Sequence, residues 1–173
     1  MHEFDTISLV GRIAYGIMCA EEYLLHKYPN KNWEMVFEVF WEITSLELWE
    51  DWIDEAIEII PEYLFEFKDY ESSKFDCLTE EKYEALKKLY EGTNDDVSKI
   101  LKMVYQLANS HAYSSIRGNG VESLQCLDKI INFLQEEGIA LPDKTPVEAC
   151  LFSERDGWGN RFDGACVSKI IKK

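Results

Sequence analysis

Apolar positions along this chain recur with the 3.6-residue period of an amphipathic helix in every long segment, and no two stretches read as paired strands. The period is clearest in NWEMVFEVFWEITSLELWEDWIDEAIEIIPEYLFEF, residues 32–67, which holds four of the five tryptophans and is expected to be the part that the rest is arranged around. Trp33, Val36, Phe37, Phe40 and Trp41 share one face of a first helix, and Glu34, Glu38 and Glu42 make a ridge left in water. A second helix fits Leu46 to Ile60, with Leu46, Trp49, Ile53, Ile57 and Ile60 inward and Glu47, Glu50, Asp51, Asp54, Glu55 and Glu58 outward. Thr44-Ser45 breaks the pair, and Pro61 stops it and starts a short helical turn to Phe67.

Upstream, Asp5 or Thr6 is placed to cap a helix running to about Tyr28, with Val10, Ile13, Ala14, Ile17, Leu24 and Leu25 inside. Gly11 and Gly16 are poor helix formers, which predicts another element crossing closely there. Pro29-Asn30 ends this helix, and Asn30 or Asn32 starts the next. From Lys68 to Leu78 the period is lost, so this is the longest loop of the first half. Thr79 caps a helix with Glu80 and Glu81 in its first turn and Gly92 as its stop. Asn94 caps another, whose stripe of Val97, Ile100, Leu101, Val104, Leu107 and Ala108 continues to His111. A turn around Arg117 leads to a helix from Val121 to Glu137 that Gly138 ends. Thr145-Pro146-Val147-Glu148 matches a capping box with proline at the first helical position. The tail SERDGWGNRFDG reads as a structured loop before a last short segment from Ala165 to Ile171. The chain is thus predicted to be all-α, one domain over residues 1–173 built as a bundle of about six or seven helices.

Composition adds limits. A chain of 173 residues, 46% hydrophobic, can bury one real core, and its aromatic content argues against disorder despite the charge. The pI near 4.6 argues against direct binding to nucleic acid or to an anionic membrane surface, both of which need concentrated Lys and Arg. The N-terminus has no basic leader region, and its apolar run breaks at Gly11-Arg12, short of the ~20 residues a membrane span needs, so a cytoplasmic location is expected. Cys19, Cys77, Cys126, Cys150 and Cys166 show no C-x-x-C or zinc-like spacing and read as reduced and mostly buried.

Charge is unevenly placed along the chain. From Glu34 to Glu81, 16 Asp and Glu stand against Lys68 and Lys74 alone, so this segment carries −14 of the formal −15. Like charges four residues apart destabilise a helix by a few tenths of a kcal/mol per pair, and a face selected only for solubility intersperses lysines. The acidic face is therefore either plain hydrated surface or a patch built to meet something basic.

Chemistry is harder to find. The chain has no glycine-rich phosphate loop, G-x-S-x-G, H-E-x-x-H or EF-hand pattern, and neither Glu21 nor Glu22 has the histidine three residues on that a di-iron bundle requires. No cofactor, metal or catalytic activity is expected. His111 reads as a hydrogen-bonded core histidine. Arg155, Asp156, Trp158, Asn160, Arg161 and Asp163 form the densest mixed polar cluster. The plainer reading of it is that Trp158 folds back as a lid on the core while the charges order the tail.

GRIAYGI at Gly11 to Ile17, the acidic tryptophan-rich helices, FEFKDYES from Phe65 to Ser72 and GWGNRFDG from Gly157 to Gly164 together resemble a family of small, acidic, helical immunity proteins of bacterial contact-dependent and other polymorphic toxin systems. The resemblance implies a stoichiometric inhibitor that holds a toxin domain, often a nuclease, in the cytosol. It assigns no binding residue.

The residues themselves point the same way, since the basic phosphate-binding cleft of a nuclease is complementary to a rigid acidic helical surface. The expected partner is a cognate toxin domain with a basic surface, bound one to one. The alternative is a cytosolic adaptor or regulatory protein that binds a basic partner or mimics nucleic acid. Counting about 100° per residue from Leu46, Trp52 falls near 240°, on the border between the inner and acidic faces, where it would be half exposed beside Asp51 and Glu55. Trp52 is thus the expected anchor, with Glu47, Asp51, Asp54, Glu55 and Glu58 around it and the loop from Asp69 to Glu71 or the Trp158 tail next in line; the plainer reading is that Trp52 packs against the first acidic helix.

Overall fold

Helix α1, Leu9–Lys27, is buried on every side from Leu9 to Glu21, and six further helices complete the described bundle in the computed structural model, which describes residues 2–45 and 49–171. They are α2 Glu34–Glu42, α3 Glu50–Glu58, α4 Pro61–Leu64, α5 Glu80–Tyr90, α6 Asp95–Asn109 and α7 Val121–Glu136. Short 3-10 turns follow at Thr145–Val147, Arg155–Gly157 and Gly164–Cys166. Among the described residues there is no strand, only an isolated bridge between Ile7 and Leu151. The class is all-α, as the periodicity predicts.

The organising element is α1 rather than residues 32–67. Helices α6 and α7 pack on it and on each other, α2 lies against it, and α3 reaches the core through α2 and α6. Such encirclement needs backbones that approach closely. A Cβ on Gly11 would lie 2.7 Å from the Cys150 Cβ, and one on Gly16 would lie 2.8 Å from Leu107 Cδ2. The two glycines mark crossings, as expected of them. The helix begins at Ser8, whose hydroxyl accepts the Gly11 N–H, and not at Asp5 or Thr6. The Asp5 carboxylate is already occupied by the His2 N–H and the Asn119 amide.

Two charged side chains are fully enclosed on α1, and neutral groups satisfy each. Arg12, 0% exposed, donates to the carbonyls of Phe4 and Gly120 and to the Ser123 hydroxyl, and its guanidinium lies 4.9 Å from the Phe152 ring centre. It ties the N-terminal turn, the start of α7 and the tail to one helix, and burial pulls its pKa down to about 10. Glu21, 1% exposed, accepts from the Trp41 indole at 2.7 Å, the Ser168 hydroxyl at 2.5 Å and the Lys169 N–H at 2.8 Å. Burial holds its pKa above the ordinary carboxylate range, against those three bonds.

In α3 the inner face is turned by roughly 70° from the one counted from Leu46. Trp52, Ala56, Ile59 and Ile60 are buried, whereas Trp49, Ile53 and Ile57 are only partly covered. Trp52 is 1% exposed, so the expectation of a half-exposed anchor is wrong. Its ring stacks on Tyr105 and meets Phe40 edge-on, and its indole N–H donates to the Val39 carbonyl at 2.7 Å. A large ring with one donor goes where both can be satisfied, and here that is against α2 and α6. The described part of this helix begins at Glu50, and Leu46 and Glu47 lie outside the described residues.

Other boundaries match the sequence reading with local corrections. Thr79 caps α5 through its hydroxyl, and Gly92 and Gly138 sit at positive φ after α5 and α7. Asn94 precedes α6, but its side chain accepts from the Tyr28 hydroxyl and donates to Asp96 instead of capping. Thr145 makes no capping box, because Asp143 accepts both its N–H and its hydroxyl. The loop 68–78 lacks period because it is ordered by rings: Tyr70 and Phe75 both pack on Tyr83. The cysteines are free, yet only Cys19 is buried, and Cys77 and Cys166 are exposed.

Candidate functional site

The acidic ridges of α2 and α3 lie side by side. Glu38 and Glu42 on α2 and Asp51 and Asp54 on α3 are exposed, and Glu42 sits within electrostatic reach of both Glu38 and Glu55. Desolvation and then Glu55 and Glu38 raise the Glu42 pKa, with Lys82 opposing. Lys82, reaching up from α5 to Glu55 at 3.5 Å, is a cation set into this face, and Lys31 and Lys88 line the groove beside Glu34 and Glu38. The exposed pair is worth little by itself; Lys82 also partly offsets Glu42, and Glu38, Asp51 and Asp54 have no ion-pair partner among the described residues.

The structure divides the expected site residues. Asp51 and Asp54 are where the sequence places them, on the open face, and Glu55 is half-buried beside Lys82. Glu58 is not a surface charge. Its carboxylate turns inward and accepts three consecutive N–H groups, from Asp76 at 2.6 Å, Cys77 at 3.0 Å and Leu78 at 2.8 Å, and so fixes the end of the loop before α5. Asp69 folds onto its own loop, accepting from the Ser72 N–H at 2.9 Å, and the Ser72 side chain and then that N–H hold its pKa below the usual range. Glu71 is exposed on the same loop. Glu47 lies outside the described residues, and Trp52 is in the core.

A second feature escapes sequence reasoning. Trp49 and Trp158, far apart in the chain, meet edge-on with ring centres 5.1 Å apart, and both remain partly exposed. They border a cleft of about 650 Å³ that Val10, Glu50, Ala112, Arg155, Asp156 and Arg161 help to line. Each wall is pinned. The Trp49 indole donates to the Ala108 carbonyl at 2.9 Å, and the Trp158 carbonyl accepts the Val10 N–H at 3.0 Å. Phe162 and Thr44 exchange bonds on the far side. Trp158 does cover the core, as the plainer reading holds, but it leaves a concave, aromatic-walled recess beside itself.

The rim of that recess is strained. Arg155 and Asp156 have φ of 47° and 55°, the two central positions of a tight turn closed by the Gly157 N–H on the Glu154 carbonyl. Asn-Gly is the usual pair at such positions, and two larger side chains there cost about 1–2 kcal/mol each. Gly159 makes the turn possible: at φ +84° it passes so close to Ser8 that any Cβ would collide with the hydroxyl.

His111, 3% exposed, sits nearby at the end of α6. Its Nε2 has no hydrogen-bond partner, and Glu122 Oε2 stands 3.8 Å away, too far to bond. The expectation of a hydrogen-bonded core histidine holds for its burial but not for this nitrogen. Burial lowers its pKa, with Glu122 opposing and Arg12 assisting. Among the described residues no cluster of His, Cys, Asp and Glu is arranged to hold a metal ion, and no helix is long and apolar enough to cross a membrane. The chain matches no protein-family model, no curated protein and no solved structure.

Proposed function

We propose that this chain is an immunity protein, a stoichiometric inhibitor that binds the basic surface of a bacterial toxin domain, a nuclease, in the cytosol. The observation that carries the reading is the pair of adjoining acidic ridges, with Glu38, Glu42, Asp51 and Asp54 exposed on two packed helices and Lys82 set between them. The helices under these charges are anchored by Trp52 and Glu58, so the carboxylates are presented on a rigid support. A fixed negative field of this kind steers a basic partner and rejects acidic ones. The inhibitor acts by occupancy and not by turnover.

The test takes as candidate partner a purified bacterial nuclease toxin domain with a basic surface. Titrating its nuclease activity with the purified chain should bring activity to zero at one equivalent. Inhibition persisting far below equivalence, or none at all, would sink the proposal.

A further inference from the structure

We infer that the Trp49–Trp158 cleft is the anchor point of the partner interface and takes an apolar side chain of the toxin domain that has a carboxylate beside it. This rests on the reading of the chain as a toxin inhibitor. Two observations and one general rule lead to it. The cleft is concave and walled by two partly exposed tryptophans whose backbone and indole contacts fix them in place. Tryptophan and arginine in a desolvated pocket are the residues that dominate binding energies at interfaces, whereas exposed rim charges mostly set the rate of encounter. The cleft also runs into the acidic face, because Glu50 lines it and Asp51 is the next residue. One partner surface can therefore cover both.

The carboxylate follows from Arg155. A chain of formal charge −15 places this exposed arginine on the rim, where it has no ion-pair partner among the described residues, in a backbone conformation that arginine rarely adopts. Facing a uniformly basic surface it would repel, so complementarity requires an acidic group opposite it. Glu50 and Asp156 balance Arg155 and Arg161 around the cleft, which leaves long-range attraction to α2 and α3 and local recognition to the cleft.

The deciding experiment measures association and dissociation rates of the same toxin domain with the wild-type chain, Arg155→Ala, Trp158→Ala and the double variant Asp51→Lys with Asp54→Lys. The expected result is a tenfold or greater loss of affinity for Arg155→Ala and Trp158→Ala through faster dissociation, with slower association only in the double variant. Arg155→Ala removes an exposed side chain and decides the matter even if Trp158→Ala fails to fold. Unchanged or tighter binding by Arg155→Ala is what charge alone predicts for a basic partner, and it would overturn the cleft proposal while leaving the acidic face intact. If the wild-type chain does not bind the toxin domain, the functional reading itself fails.

Discussion

Trp158 leans edge-on against Trp49, ring centres 5.1 Å apart, and through that contact the glycine-rich tail is seated on the entry to α3. Trp52, three residues further on, is wholly interior. The two α3 tryptophans should therefore respond differently to truncation. Trp52→Ala removes a ring buried between α2 and α6 and should cost about 3–5 kcal/mol. Trp49→Ala should cost less, about 1–2 kcal/mol, since much of its ring is already near solvent. Urea titrations of the two variants check this, and equal losses would contradict the assigned burial.

Arg12 should be the least replaceable charge in the chain. Arg12→Met removes the charged donor from the Phe4 and Gly120 carbonyls and the Ser123 hydroxyl, leaving Phe4 only the Ile7 N–H and Gly120 the Leu124 N–H and Ser123 hydroxyl, an expected loss of about 3 kcal/mol. Arg12→Lys should recover little, because an ammonium cannot reproduce the fork of donors. Denaturant midpoints of the two variants measure both effects.

Stability should fall on acidification partly through His111. Its folded pKa lies below the unfolded value near 6.5, so the unfolded chain binds the proton first and stability rises with pH across that interval. The contribution is complete above the unfolded pKa and is lost as pH falls through the folded one. Thermal melts of wild type and His111→Phe from pH 7 downward should diverge, with the wild type losing more. Parallel curves would mean that Nε2 is satisfied in solution.

Glu58 separates support from contact. Glu58→Gln keeps the shape but offers one carbonyl oxygen where two carboxylate oxygens serve three N–H groups. Faster hydrogen exchange at Asp76, Cys77 and Leu78 is expected, with the partner association rate unchanged. A slowed association would return Glu58 to the binding surface.

The helical class, the stops at Gly92 and Gly138 and the close crossings at Gly11 and Gly16 were all legible, because each depends on residues near in sequence. The rotation of α3 was not. Counting from Leu46 treats Trp49, Ile53 and Ile57 as the apolar stripe, while the position actually buried is decided by the acceptor that Val39 offers to Trp52 and by the Tyr105 ring. Glu58 looks like one more member of an acidic stripe until the loop from Asp76 to Leu78 is folded against it. Arg12 and Glu21 gave no signal of burial, since their partners lie in the N-terminal turn, at the start of α7 and in the tail. The Trp49–Trp158 cleft is likewise made by segments that only the tertiary fold brings together.

The acidic face is tested most directly by the association rate of a basic nuclease toxin domain at low and high salt, for wild type and for Asp51→Lys with Asp54→Lys. Steering by fixed carboxylates predicts fast association that slows steeply as salt is raised, and a double variant that associates at least tenfold more slowly with a flatter salt dependence. Equal rates and equal salt dependence in two well-folded proteins would contradict it.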